Sequence, residues 1–211
     1  MSSSVILLGD SIFDNAVYVP GEPCVTEQLQ ELLPADVSVR MLAVDGDCIR
    51  HVKEQLEQVP EDTTHLFVSV GGNDALEHYE TLFGDYQVAR DLFTLLHQIQ
   101  IGFRTQYRGM LEAVVELNRP AAVCTIYDTV PSIEAIALTA LSLFNDVIVA
   151  EATAMNLPIV DLRHVCNEVS DYSDQSPIEP SSKGGKKIAR ALHRVYAEHD
   201  FSIRRSVVYT G

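Results

Sequence analysis

The sequence predicts an α/β protein, a three-layer α/β/α sandwich built on a five-stranded parallel sheet. Two observations carry this expectation. Short branched-apolar runs alternate with longer amphipathic segments from residue 5 to about residue 198, and three of those runs end in glycine or small polar residues. The first run, Val5-Ile6-Leu7-Leu8, breaks at Gly9 and reads as a buried strand entering a turn. A helix over about Val25–Leu33 follows, then a strand over Val37–Ala43 and a helix over Cys48–Gln58. The third strand is Leu66–Val70. It leads to a long helix, Ala89–Leu117, whose apolar stripe runs through Leu92, Leu95, Leu96, Ile99, Phe103, Tyr107, Met110, Leu111 and Val114 at helical spacing. That stripe reads as core. Strand Ala121–Ile126, helix Ile136–Met155, strand Pro158–Asp161 and helix Lys183–Glu198 complete the chain. Strands that alternate with helices pair in parallel through right-handed crossovers, with both sheet faces covered.

Composition narrows the function classes. The 211 residues fit one domain, 1–211, and 46% hydrophobic with 21% charged residues is the balance of a globular protein with a substantial core. Fifteen Lys and Arg against thirty Asp and Glu give a formal charge of −15, which disfavours nucleic acid and other polyanions. The basic cluster Lys183, Lys186 and Lys187 falls at a predicted helix start and reads as a solvated face. No run of about 18 uncharged apolar residues is present, so no membrane span is expected. Met1-Ser2-Ser3-Ser4 leads straight into the first strand without a basic region or cleavage site, so no secretory signal is expected. Cys24, Cys48, Cys124 and Cys166 are widely spaced with no CxxC pair, which points to reduced thiols in a cytoplasmic protein. No metal or organic cofactor is expected either. The closest histidine pair, His193 and His199, is six apart and faces different sides of a helix.

The chemistry is concentrated at strand ends. Gly9-Asp10-Ser11 places a serine hydroxyl at the carboxyl end of the first strand, where open α/β sheets house ligand chemistry. Ala43-Val44-Asp45-Gly46-Asp47 closes the second run, and Gly71-Gly72-Asn73-Asp74 closes the third. With these three blocks in this order, the chain resembles the SGNH (GDSL-type) hydrolase family from residue 5 to about 198. The resemblance implies a flavodoxin-like strand order and an esterase acting on a small ester or acyl substrate. It makes Ser11 the nucleophile, with its own amide, the amide of Gly46 and the side-chain amide of Asn73 as oxyanion donors. Asp10 then supports the turn through backbone amides. Asp14 and Asn15 either contact substrate or cap the segment that follows. The insertion carrying Tyr79, Phe83, Tyr86 and Phe93 is expected to contribute to an acyl or alcohol pocket.

The fourth block departs from the family pattern. The family supplies its base from an Asp-x-x-His-Pro block before the last helix, and here the matching stretch is Ser176-Pro177-Ile178-Glu179-Pro180. Glu179 stands where the histidine belongs and Ser176 where its aspartate partner belongs. Three readings compete. Glu179 is itself the base, with the Ser176 hydroxyl as its donor, because a carboxylate accepts a proton but has none to give an aspartate. Alternatively another histidine substitutes, His78 and His164 being nearest the expected crevice. In the third reading catalysis is lost and the crevice binds without cleaving. An acyltransferase is a further alternative, since the residues do not choose between water and an alcohol as acceptor.

Overall fold

The computed structural model describes residues 3–211, so Met1 and Ser2, part of the leader-free start expected from the sequence, lie outside the described residues. Strand β1 (Ser3–Gly9) is an interior strand, with Val5, Ile6, Leu7 and Leu8 fully buried. Because side chains alternate along a strand, Val5 and Leu7 enter one core while Ile6 and Leu8 enter the other. The first core is closed by α1 (Val25–Leu32), the short α6 (Leu162–Val165) and α7 (Ser182–Glu198), which contribute Val25, Leu29, Leu162, Ile188, Leu192 and Val195. The second is closed by α2 (Ile49–Leu56), α4 (Ala89–Glu116) and α5 (Ala135–Ala154). Burial on both faces explains why the strands read as continuous apolar runs rather than alternating ones.

The sheet order is β2-β1-β3-β4-β5-β6, all parallel, with β2 at Val37–Met41, β3 at Thr63–Ser69, β4 at Ala121–Cys124 and β5 at Ile159–Val160. Among the described residues there are six strands where the sequence predicts five. The extra one, β6 (Val208–Tyr209), pairs with β5, and Asp161 N donates to Tyr209 O at 2.8 Å. Two residues are too few for a periodic signal, so this strand is defined only by the edge it meets. The chain leaves β1 toward β2 and returns to β3 on the other side, which opens a crevice beyond the carboxyl ends of β1 and β3.

Gly9 makes that crevice possible. Its φ is +125°, and a Cβ there would lie 1.8 Å from the Ser69 carbonyl oxygen. The backbone of β1 therefore turns directly against β3. The four cysteines are buried and free. Helix α5 is long and apolar enough to cross a membrane by length and composition alone, and half of its most apolar stretch is buried inside the protein. Phe144, Val147, Ile148 and Ala152 pack in the second core, and Glu151 on the same helix binds Arg104 and Arg108 of α4 at 2.9 and 2.7 Å. The α4 stripe divides in two. Phe103 through Val114 is buried as expected of core, whereas Leu92, Leu95 and Leu96 near its start are partly exposed.

Candidate active site

Ser11 sits in the turn that follows β1, and that turn is fastened at several points. Asp10 N donates to Ser69 O at 3.0 Å, and the Asp10 carboxylate accepts from Ile12 N at 3.1 Å. Gln55 of α2 grips the strand end, its Oε1 accepting from Gly9 N at 2.7 Å and its Nε2 donating to Gly9 O at 2.8 Å. Burial pushes the Asp10 carboxyl well above its usual range, and the nearby charges of Glu179 and Asp74 push it the same way. The Ser11 residue is only 6% exposed and borders a cavity of about 100 Å³.

The Gly46 segment forms a turn, with Asp47 N donating to Val44 O at 3.1 Å and Gly46 at φ +84°. It is tied to the Ser11 turn from both ends. Asp45 N donates to Asp14 Oδ2 at 3.0 Å, and Gln55 Nε2 donates to Asp47 Oδ2 at 2.8 Å. Gly46 itself is exposed and does not border the cavity. Asn73, in the short helix α3 (Gly72–Leu76), does border it, and its Nδ2 donates to Asp47 O at 2.9 Å. Asp74 beside it accepts from Ile49 N at 3.1 Å, joining α3 to the start of α2.

Glu179 arrives from the opposite layer. Its loop runs from Tyr172 to Pro180, whose backbones pair, and Ser173 N donates to Glu179 O at 2.8 Å. Tyr127 Oη donates to Ile178 O, and Asn15 Nδ2 donates to Pro180 O at 3.2 Å while Asn15 Oδ1 accepts from Val25 N at 3.0 Å. Asn15 thus makes no side-chain cap on the short Ala16–Tyr18 turn of helix that follows it, and instead joins the Ser11 segment to the first amide of α1 and to the Glu179 loop. The Glu179 residue is 6% exposed and borders the same cavity as Ser11. Its Oε2 is buried with no hydrogen-bond partner. Burial raises its pKa to about 7, opposed by hydrogen bonding from the Ser11 hydroxyl and assisted by the charge of Asp45. The Ser176 hydroxyl is not the donor expected from the sequence. Ser176 meets Glu179 through its backbone carbonyl, which accepts from Glu179 N at 3.1 Å, because the two residues begin and end one turn.

The histidines separate clearly. His164 is largely exposed and held at Asp161, 3.2 Å from Oδ2, outside the cavity. His78 borders the cavity mouth, its ring stacked toward Phe144 at 6.5 Å. Of the aromatics expected at the pocket, Tyr79 lines it, whereas Phe83 and Phe93 are exposed outside it. Tyr86 Oη instead donates to Thr81 O at 2.6 Å.

Sequence reasoning misses two contributors. Gln55 falls at a stripe position of α2 otherwise occupied by Ile49, Val52 and Leu56, and a polar residue on an apolar face is the signal that could have found it. The cavity wall from α5 carries no such signal, since Ala137, Ala140 and Phe144 look like any core helix.

Residues 7–187 match the GDSL-like lipase/acylhydrolase family. The chain belongs to this family. Among solved structures, a lipase from a goat rumen metagenome superposes with a TM-score of 0.69 at 20% identity, covering 91% of this chain and 96% of the other. An acetylxylan esterase from Geobacillus stearothermophilus gives 0.67 at 17% identity, with 94% and 95% covered. An extracellular lipase from Streptomyces rimosus gives 0.66 at 16% identity, with 89% and 96% covered. At these identities the likeness is one of fold. Comparison with curated protein sequences returns no significant match. The GDSL-type fold thus brings Ser11, Asn73 and Glu179 to one cavity, with the turn carrying Gly46 fastened beside it.

Proposed function

We propose that this GDSL-type protein is a carboxylic ester hydrolase in which Ser11 is the nucleophile and Glu179 the general base. The carrying observation is the buried Glu179 carboxylate, on the Ser11 cavity with one oxygen unpartnered and a pKa of about 7. Ser11 Oγ attacks the ester carbonyl carbon as its proton passes to Glu179. The carbonyl oxygen takes the negative charge, and collapse expels the alkoxide, which recovers that proton. Water then attacks the acyl-Ser11 ester with Glu179 again accepting a proton, releasing the acid and restoring the serine.

A carboxylate base changes the electrostatics of this cycle. With histidine, attack creates an ion pair, whereas here one negative charge moves from Glu179 to the oxyanion. Burial that makes Glu179 reluctant to stay ionised therefore favours the transfer. The donors assigned to the oxyanion are the amides of Ser11 and Gly46 and the side chain of Asn73. Asn73 Nδ2 carries two hydrogens and spends one on Asp47 O, so one remains for the substrate. A positioned donor of this kind is worth about 2.7–4 kcal/mol in a well-studied hydrolase. The four buried free thiols support placing the activity in a reducing compartment such as the cytoplasm.

The test uses p-nitrophenyl esters with the wild type, Ser11→Ala and His78→Ala. Ser11→Ala is expected to reduce kcat by about 10³-fold or more, while His78→Ala retains activity. Equal rates for the wild type and Ser11→Ala would make the cavity a binding site. Loss of activity in His78→Ala would move the base to that histidine, and added alcohols that divert product from acid to ester would make the protein an acyltransferase.

A further inference from the structure

Resting on that esterase reading, we propose that the cavity beside Ser11 is an acyl-chain site that selects linear aliphatic acyl groups of about four to six carbons over acetyl. The cavity is chemically divided. Its carboxyl groups lie beside Ser11, Asp10 at the end of β1 and Glu179 in the Tyr172–Pro180 loop, whereas the part enclosed by α4 and α5 is walled by Leu82, Leu96, Ala140, Leu141 and Phe144. Water in an aliphatic pocket of this kind finds few partners, so such a space is best filled by carbon.

The direction of the chain follows from the proton. Glu179 must return its proton to the leaving oxygen, which puts the alcohol on the side of the Tyr172–Pro180 loop, packed toward α1 and α7. The acyl group then extends the other way, past Asn73 and into the space between α4 and α5. Size sets its length. A dry cavity of about 150 Å³ lined by aliphatic and aromatic residues accommodates a six-carbon ring, and this one measures about 100 Å³. Ala137 and Ala140, both nearly buried on α5, make that space by being small.

The experiment compares kcat/KM for p-nitrophenyl acetate, hexanoate and palmitate. Each buried methylene contributes about fourfold, so hexanoate is expected to exceed acetate by at least tenfold. Palmitate is expected to fall below hexanoate. Ala140→Phe, which fills the site, is expected to cut the hexanoate-to-acetate ratio about tenfold, and Leu96→Ala, which lengthens it, to raise the palmitate-to-hexanoate ratio. A readout free of turnover accompanies these. Hexanamide should bind Ser11→Ala protein in calorimetry at least tenfold more tightly than acetamide, and Ala140→Phe added to that protein should abolish the difference. Ser11-dependent turnover with acetate equal to or better than hexanoate, and no preference for hexanamide, would overturn the acyl site and leave the esterase reading intact. Bound hexanamide with no ester cleaved would do the reverse.

Discussion

Two buried glutamates are treated in opposite ways. Glu151 is 2% exposed on α5 and meets Arg104 and Arg108, whose hydrogen bonds hold its carboxyl below the usual range. Glu179 is 6% exposed in a loop, meets no cation, and is pushed up to about 7. Surface exposure is similar, so the difference lies in surroundings: Glu179 is the more desolvated of the two, and only Glu151 has cations beside it. A carboxylate neutralised by two guanidinium groups is fixed in its charge and serves as a rivet between α4 and α5. One left with an unpartnered oxygen next to a serine hydroxyl gains or loses a proton near neutrality, which a structural residue has no use for and a general base requires.

The sharpest test of this contrast is Glu179→Gln, which keeps the shape and removes the acceptor charge. It is expected to lower kcat on p-nitrophenyl esters by about 10²-fold or more. An unchanged rate would put Glu179 in the same structural class as Glu151. The same variant should be more stable than the wild type at pH 8. The folded-state pKa lies above the free value of 4.5, so ionising Glu179 removes stability as pH rises through about 7. The gain at pH 8 is on the order of 3 kcal/mol by denaturant unfolding and vanishes below pH 4.5.

Glu151→Gln should show the opposite signature. Its lowered pKa contributes stability above the free value that is lost as the pH falls through the folded one. The substitution is expected to cost about 1–3 kcal/mol at pH 7, because Arg104 and Arg108 are half exposed and water compensates them in part. Its effect should shrink toward pH 3, with kcat unchanged. The smallest effect is on the shape of the activity profile. Wild-type kcat should rise with pH and level off above about 7, and Glu179→His should keep a rising limb set by an imidazole near its free value of about 6.5. A wild-type rate that stays flat to pH 5 would mean that the base ionises like an exposed carboxylate.

That profile also measures what was legible in the sequence. Composition and periodicity locate each long helix and all five expected strands to within a few residues, because burial on both sheet faces leaves uninterrupted apolar runs. The three strand-end blocks likewise lead to Ser11 and Asn73 at one cavity. What the sequence hides is solvent exposure. A free glutamate titrates near 4.5, and it is the Tyr172–Pro180 loop folding over Glu179 that raises this value. The Ser176 hydroxyl is misplaced for a related reason. Spacing within a block does not say whether a side chain or a carbonyl faces its neighbour. Gly46 stands apart too, since its turn is fastened to Gln55 and Asp14 by contacts that no local motif encodes.

The Tyr172–Pro180 loop has one more consequence. It closes on itself through its own backbone pairing and touches the Ser11 segment at the Ser11 hydroxyl beside Glu179, through Asn15, and through the carbonyl of Tyr18, to which Ser173 Oγ donates at 2.6 Å. The serine, its turn and the Gly46 and Asn73 segments are meanwhile bolted to one another through Gln55, Asp14 and Asp47. The molecule is thus assembled from a fixed socket and a cartridge. The residue at position 179 can be exchanged inside the cartridge, glutamate for histidine or the reverse, with no fastening of the socket undone. On the proposed mechanism, a fold arranged this way trades one proton acceptor for another without disturbing the socket that is assigned to the carbonyl.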